Sequence, residues 1–194
     1  MLPPIQSFFD PKTVWRERMK ASRKEAAQAR PDAARHAARI FLDNIDISDG
    51  DVVSLYYPIG TELDTEPLAQ ALFEREASVA LPIVAEKDAP LMFRLYVPGD
   101  PLIPGAYGEQ IPAETAPEAI PTILVVPLLG FTRQGDRLGY GGGYYDRTLE
   151  ELRAHGRATA IGYAFAAQEV DELPLTRLDQ RLDWIVTERG AIHC

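Results

Sequence analysis

The sequence is poor in cysteine, in histidine and in long apolar runs. Its one cysteine is Cys194, the last of 194 residues, so no disulfide can form within the chain, as expected for a reducing cytoplasm. The three histidines, His36, His155 and His193, lack the spacing of zinc ligands. No apolar run approaches the length that spans a bilayer, and the first residues do not follow the pattern of a signal peptide. We therefore expect a cytoplasmic protein without a zinc site.

Positive charge is also scarce, because 20 basic residues stand against 29 acidic ones and give a net charge of −9. General binding to nucleic acid or to a membrane surface needs a basic face, so we expect neither as a partner. A local basic pocket for a nucleotide is still compatible with this balance. The length suits one α/β domain, which we assign to residues 1–194 with residues 1–9 as a loose tail.

Glycine and tyrosine are concentrated in one segment, residues 135–147. The segment follows an apolar, β-branched run at residues 123–129 that is typical of a buried strand. After it, Tyr145, Leu149 and Leu152 recur at helical spacing. Glycines let backbone N–H groups approach an anion, and a helix N-terminus adds free N–H groups and a positive dipole end. The order strand, glycine-rich loop, helix therefore predicts a phosphate site, with a plain flexible turn as the alternative.

Three charged residues border this loop. Arg137 and Arg147 can each form a bidentate contact with phosphate oxygens, and Asp146 offers the carboxylate oxygens that Mg²⁺ prefers. The loop fits neither the P-loop, which ends in Gly-Lys-Ser/Thr, nor the dinucleotide fingerprint, whose third glycine is missing. The phosphate-site hypothesis therefore depends on the residues of this loop rather than on a general motif.

The N-terminal part of the chain predicts two helices between residues 12 and 44. Asp10 is placed to cap the first helix, with Pro11 at its first position. Lys12 and Arg16 are four residues apart and therefore share one face of that helix. Such charge runs usually form a solvated, salt-bridged surface, so composition alone does not assign these two side chains to a site.

The rest of the chain alternates strands with helices. Strands are predicted over residues 51–57, 77–84, 91–97, 123–129, 157–165 and 182–188, and helices up to residue 73 and over 144–155. Residues 98–121 are rich in proline and glycine, which is typical of a functional loop or lid. The alternation predicts an α/β fold, a three-layer α/β/α sandwich around a mostly parallel sheet.

The glycine-rich segment Arg137-Leu138-Gly139-Tyr140-Gly141-Gly142-Gly143-Tyr144-Tyr145-Asp146-Arg147 resembles the signature of the 5-formyltetrahydrofolate cyclo-ligases, also called methenyltetrahydrofolate synthetases. The resemblance continues in the same order over nearly the whole chain. It implies a fold similar to that of certain sugar-phosphate isomerases and CoA transferases. It also implies an enzyme that uses ATP and Mg²⁺ to close 5-formyltetrahydrofolate, with or without a polyglutamate tail, to 5,10-methenyltetrahydrofolate.

The resemblance also implies a role for each matching residue. Three cations would contact ATP phosphates and act in catalysis: Lys12, Arg16 and Arg137. The loop would hold ATP through Arg137 and the residues after it: Leu138, Gly139, Tyr140, Gly141, Gly142, Gly143, Tyr144 and Tyr145. Asp146 and Asp179 would hold Mg²⁺, with Asp183 as a rival of Asp179. Phosphoryl transfer depends mainly on positioning and charge neutralisation, so these residue types suit the reaction without a protein nucleophile.

The folate would bind where the first strand ends. Open α/β sheets bind ligands at this strand-to-helix position, and Glu62 lies just beyond it. In the family, the residues matching Tyr57 and Glu62 contact the folate, and a carboxylate can hold the amino and imino nitrogens of a pterin through paired hydrogen bonds. From the residues alone, Glu62 is equally well explained as a capping or surface acid. Alternation along the strand places Tyr56 in the core and Tyr57 on the opposite face.

Three positions depart from the family pattern. Ile111-Pro112 stands where a Glu-Pro pair is usual, Leu178 replaces a histidine, and Thr132 replaces an aspartate. Two alternatives therefore stay open: a non-catalytic paralogue that binds a nucleotide or folate, and a sugar-phosphate isomerase on the same scaffold. We expect a monomer whose partner is the small-molecule substrate.

Overall fold

The computed structural model describes residues 11–156 and 158–194. Its helices are α1 (Pro11–Ala29), α2 (Ala33–Asn44), α3 (Glu66–Phe73) and α4 (Tyr144–His155). Its strands are β1 (Val52–Ser54), β2 (Ser78–Ile83), β3 (Met92–Leu95), β4 (Leu102–Pro104), β5 (Gln110–Pro112), β6 (Ile123–Val126), β7 (Gly130–Phe131), β8 (Arg137–Leu138), β9 (Thr159–Tyr163), β10 (Trp184–Thr187) and β11 (Gly190–His193). A short 3₁₀ helix, Ala166–Gln168, follows β9.

Seven of these strands form one sheet in the order β11-β10-β9-β6-β1-β2-β3. The five inner strands are parallel, whereas β11 and β3 run antiparallel at the two edges. The two remaining pairs, β4-β5 and β7-β8, are separate antiparallel hairpins. All four residues of β6 are buried, as expected for a central strand covered on both faces.

Helices cover both faces of the sheet. On α2, Ala33, Ala37 and Phe41 recur every fourth residue, and this apolar stripe joins α3 in a core against one face. On the other face, Leu149 of α4 packs with Leu124 and Val126 of β6. The predicted three-layer α/β/α sandwich with a mostly parallel sheet is therefore confirmed.

Helix α1 lies where the carboxyl ends of the inner strands meet the following loops. Its Met19 is almost fully buried and packs with Leu129, just after β6, and with Leu138 of β8. This contact brings α1 against the β7-β8 hairpin, which leads into the glycine-rich loop. The helix thus borders the edge of the sheet at which α/β proteins place their ligand sites.

The predicted helices agree with the structure, and α4 has the predicted bounds. The strands are shorter than predicted, and the pattern did not indicate β11 or the hairpins β4-β5 and β7-β8. The proposed cap Asp10 and the proposed tail 1–9 lie outside the described residues. Among the helices of the described chain, none is long and apolar enough to cross a membrane.

Candidate active site

The glycine-rich loop joins the β7-β8 hairpin to the amino end of α4. Gly141 and Gly143 have φ angles of 103° and 68°, in the left-handed region that only glycine adopts at low cost. Gly143 immediately precedes the first turn of α4. The first N–H groups of a helix have no partner within the helix, so the end of this loop presents backbone donors to an anion.

Two arginines brace the loop through its carbonyl oxygens. Arg16 Nε of α1 donates to the Gly139 oxygen at 3.1 Å, and a Cβ added at Gly141 would lie 3.2 Å from Arg16 Nη2. Arg147 Nη2 donates to the Gly142 oxygen at 2.8 Å, and Arg147 Nε donates to Ala89 at 3.3 Å. Arg147 therefore anchors the loop to the body of the protein, whereas Arg16 reaches it from α1.

One face of α1 carries several side chains of the site. Lys12 Nζ lies 2.7 Å from Asp179 Oδ2, and Arg16 lies one turn further along the helix, against the loop. The prediction that Lys12 and Arg16 share a helix face is confirmed. By contrast, Lys20 is on the surface, where it pairs with Glu17 at 2.9 Å.

Arg137 is the most deeply buried cation of the loop. Its side chain is 4% exposed, and its Nη2 lies 2.7 Å from Asp146 Oδ1. The same Asp146 oxygen accepts the backbone N–H of Gln180 at 2.9 Å. Burial lowers the pKa of the Arg137 guanidinium, whereas Asp146 and Asp179 oppose that shift. In the described part of the chain, the buried Arg137 Nε has no hydrogen-bond partner, so a donor is left over for a ligand.

Both predicted metal carboxylates act on Arg137, Asp146 through a direct ion pair and Asp179 through its charge. Asp179 accepts hydrogen bonds from Lys12 and from Thr176. Burial alone would raise the pKa of Asp179, but these hydrogen bonds outweigh it and lower the pKa. The chain over the described ranges holds no group of three or more His, Cys, Asp or Glu side chains arranged for a metal ion.

Asp183, the rival of Asp179, is held elsewhere. Its Oδ2 lies 2.8 Å from Arg153 Nη2 and accepts the Ala160 N–H at 2.7 Å. Arg153 is in the last turn of α4, whereas the glycine-rich loop joins the first turn. The structure thus brings Asp179, but not Asp183, to the side of Arg137.

Glu62 is joined to the loop by Tyr140. The Tyr140 hydroxyl donates to Glu62 Oε1 and accepts from Arg23 Nη1. Arg23 Nη1 is 3.6 Å from Glu62 Oε1, and the side chains of Arg23 and Glu62 are 8% and 6% exposed. Glu62 Oε2 accepts the Ile59 N–H at 2.7 Å. Burial raises the pKa of Glu62, and its hydrogen bonds and Arg23 offset only part of that rise.

Arg23 is a site residue that sequence reasoning missed. The sequence indicated this residue only through its position: it follows Arg16 by seven residues and so lies two helical turns further along the same face. Its partners, however, are at positions 62 and 140 and come together only in the fold.

Tyr57 and Glu62 occupy different surroundings. Tyr57 is 37% exposed and lines a cavity of about 230 Å³ between the end of β1 and the start of α3. Thr65 and Tyr96 line the same cavity, whereas Glu62 is not part of its wall. Tyr56 is buried, as alternation predicted.

The β4-β5 hairpin reaches the amino end of α4. The hydroxyl groups of Tyr107, in the hairpin turn, and Tyr144 are 2.7 Å apart. Their rings meet edge to face at 5.9 Å, and the Arg147 guanidinium lies 5.1 Å from the centre of the Tyr144 ring. The segment predicted to be a functional loop therefore contacts the glycine-rich loop directly.

The fold and the site together define a class of protein. A parallel sheet whose ligand edge gathers a glycine-rich loop, several cations and two carboxylates is typical of an α/β enzyme that acts on a phosphorylated small molecule. Residues 10–188 match the 5-formyltetrahydrofolate cyclo-ligase family, and the chain belongs to this family. The resemblance inferred from the loop is thereby confirmed.

Relatives and solved structures agree with this assignment. The chain is 34% identical over 194 residues to the 5-formyltetrahydrofolate cyclo-ligase of Mycolicibacterium smegmatis, covering 93% of this chain and 95% of the relative. It is 34% identical over 140 residues to the Escherichia coli K12 enzyme, covering 70% and 76%. The structure of Aquifex aeolicus 5,10-methenyltetrahydrofolate synthetase superposes with a TM-score of 0.68 at 26% identity, covering 90% and 92%.

Proposed function

We propose that this protein converts 5-formyltetrahydrofolate and ATP into 5,10-methenyltetrahydrofolate, ADP and phosphate. The observation that carries the proposal is the convergence of cations on one glycine-rich loop in an acidic chain. Arg16 from α1 and Arg137 from β8 both lie against this loop. Lys12 binds Asp179, whose charge acts on Arg137. Family membership supports the same reaction.

ATP would lie along the loop with its phosphates toward the amino end of α4. The backbone donors at Gly143 and the positive end of the helix favour phosphate oxygens at this point. Arg137 would contribute its unpartnered Nε, and Lys12 and Arg16 would neutralise further phosphate charge. Because these groups are held by α1 and by Asp146, little reorganisation is needed when the phosphoryl group moves.

The carboxylates fit Mg²⁺ in residue type, and the backbone N–H of Gln180, next to Asp179 in the chain, is bound to Asp146. Asp146 and Asp179 would hold the ion, with phosphate oxygens or water supplying the other ligands, as Mg²⁺ usually requires. Within residues 11–156 and 158–194, both hydrogen bonds to Asp146 end on Oδ1, so Oδ2 suits a ligand role. When bound, the ion would neutralise charge on the ATP phosphates.

The folate would approach from the end of β1. Glu62 would accept paired N–H groups of the pterin, and Tyr57 would line the adjoining part of the pocket. Glu62 is buried and anchored on both oxygens, which gives the fixed direction that such a paired contact needs.

The reaction then needs two bond exchanges. The formyl oxygen attacks the γ-phosphorus of ATP, the bond to ADP breaks, and the formyl carbon becomes an electrophile. The lone pair of the folate 10-nitrogen attacks that carbon, phosphate leaves with the carbon–oxygen electrons, and the 10-nitrogen loses its proton. Both steps depend on holding the substrates in line, which is the role of the residues named here. The proposal includes a monomeric, cytoplasmic enzyme that also accepts polyglutamylated folate.

The test is the near-ultraviolet absorbance of the methenyl product. Purified protein is mixed with 5-formyltetrahydrofolate and Mg²⁺, with and without ATP. We expect absorbance to rise only with ATP. A rise without ATP would contradict the proposed phosphorylation. No rise from folded protein that still binds ATP would instead support the non-catalytic paralogue, with Ile111 and Leu178 as the positions to revert first.

A further inference from the structure

Tyr140 is the one residue with a side chain within the five positions Gly139, Tyr140, Gly141, Gly142 and Gly143. Its ring is half exposed, yet its hydroxyl reaches the buried pair of Arg23 and Glu62. The Arg23 guanidinium, which binds this hydroxyl, lies 5.6 Å from the centre of the ring, so the side chain is held at its tip. The residue thus connects the loop proposed for ATP to the carboxylate proposed for folate.

The direction of the hydrogen bonds at the Tyr140 hydroxyl follows from the chemistry of its partners. A guanidinium only donates, so the hydroxyl oxygen accepts from Arg23 Nη1. The hydroxyl hydrogen is then available for Glu62 Oε1. Tyr140 therefore contacts both members of the ion pair between Arg23 and Glu62, in which Nη1 and Oε1 are 3.6 Å apart.

These contacts also orient the Glu62 carboxylate. Each carboxylate oxygen has two lone-pair directions. Tyr140 occupies one on Oε1, and the Ile59 N–H occupies one on Oε2. Among residues 11–156 and 158–194, no further hydrogen bond reaches either oxygen, although Arg23 Nη1 lies 3.6 Å from Oε1. One direction on each oxygen therefore suits a paired contact with two N–H groups of a ligand. The orientation of Glu62 therefore depends on where the loop places Tyr140.

The backbone of the loop is held at two carbonyl groups, that of Gly139 by Arg16 and that of Gly142 by Arg147. Four glycines in five residues allow many backbone conformations between and around these contacts. An anion on the backbone donors of the loop restricts those conformations, and Tyr140 is restricted with them. Nucleotide binding would therefore strengthen the hold of Tyr140 on Glu62.

We propose that Tyr140 is a positioning residue through which nucleotide binding at the glycine-rich loop increases the affinity for folate at Glu62. The inference rests on the proposed function, because it assumes that ATP occupies the loop and folate meets Glu62. Coupling between two binding sites is reciprocal, so folate must increase the affinity for nucleotide by the same factor. A hydrogen bond to a charged group of this kind corresponds to a coupling of about tenfold.

The experiment measures 5-formyltetrahydrofolate binding by calorimetry, with and without a saturating non-hydrolysable ATP analogue. The wild-type protein is compared with Tyr140→Phe, which removes only the hydroxyl. Tyr107→Phe is the matched control, because it removes an exposed hydroxyl that contacts Tyr144 at the end of the same loop instead of Glu62. Because Tyr140 is 47% exposed, its substitution is expected to leave the fold intact, which thermal unfolding checks.

We expect the analogue to raise folate affinity about tenfold in the wild-type protein and in Tyr107→Phe, but to leave it nearly unchanged in Tyr140→Phe. In a Glu62→Gln background, Tyr140→Phe should cause no further loss of coupling, as expected for two residues that act through one contact. A Tyr140→Phe protein that keeps the wild-type ratio would overturn the proposal. Equal loss in Tyr107→Phe would do the same, because it would show that the effect does not depend on the contact between Tyr140 and Glu62.

Two different outcomes would contradict the role of Tyr140 and the proposed function. A wild-type protein that forms the methenyl product with ATP, but whose folate affinity does not respond to the analogue, would contradict the role of Tyr140 alone. A wild-type protein that forms no product would contradict the proposed function, whatever the Tyr140 variant does.

Discussion

Arg137 and Asp146 form a buried pair in which a structural and a catalytic role can be separated by mutation. Arg137→Met keeps the apolar bulk of the side chain but leaves the Asp146 carboxylate without its cation. Breaking a buried pair from one side costs about 3–5 kcal/mol of unfolding free energy. Asp146 is 20% exposed and keeps the Gln180 N–H, so we expect the lower end, about 3 kcal/mol.

The double variant Arg137→Met/Asp146→Asn removes the uncompensated charge as well. We therefore expect it to recover about 2 kcal/mol of the loss, because replacing both partners of a buried pair is often nearly neutral. Turnover should not recover, since the proposed phosphate contact is still missing and Asp146→Asn also removes a proposed Mg²⁺ ligand. The value of kcat/KM for ATP should fall about 100-fold in the single variant and at least as far in the double variant.

Urea denaturation measures the unfolding free energy, and the methenyl absorbance assay measures kcat/KM for ATP. Arg133→Met is the matched control, because Arg133 is 62% exposed and its contact with Glu169 is 3.4 Å long. An exposed pair of this kind contributes less than about 1 kcal/mol. If the double variant regained turnover together with stability, the pair would be structural only, and the role proposed for Arg137 would be wrong.

Three further changes test the other parts of the site. Burial raises the pKa of Glu62, so this carboxylate takes up its proton at a higher pH than an ordinary carboxyl does. As the pH falls, KM for folate should therefore begin to rise at that higher pH. Glu62→Gln, measured across the same range, should lack this pH dependence. Gly143→Ala and its control Gly50→Ala both force a left-handed residue and should each cost about 1–2 kcal/mol in urea denaturation, but only Gly143→Ala should raise KM for ATP, by about tenfold. Asp179→Asn should raise the Mg²⁺ concentration for half-maximal turnover about tenfold, whereas an equal shift in Asp183→Asn would contradict the assignment of Asp179.

The helices and the central strands were predictable because their signals are local. Proline at the first position and glycine before the first turn define where α1 and α4 begin, and side-chain periodicity defines their length. The short hairpins gave no such signal. Strands β7 and β8 have two residues each, which is too few for alternation to be read.

The composition of the site was predictable, but its connections were not. The glycine-rich loop identified the family, and spacing placed Lys12 and Arg16 on one helix face. Whether Asp179 or Asp183 lies beside the loop could not be read from the sequence, since both precede the same strand. That choice depends on how the loop before β10 crosses the protein, and on Arg153, which binds Asp183 at the far end of α4.

Helix α1 explains why the loop motif alone does not specify a complete site. It contacts three segments that are far apart in the chain: Lys12 binds Asp179, Arg16 binds the loop backbone, and Arg23 binds Thr61 and pairs with Glu62. The same helix buries only a few apolar side chains, of which Met19 is the most enclosed. Its docking therefore depends largely on the polar contacts that also build the site. Docking of this helix and assembly of the ligand-binding surface are therefore one event. The cations proposed to bind phosphate are the same groups that hold the helix in place.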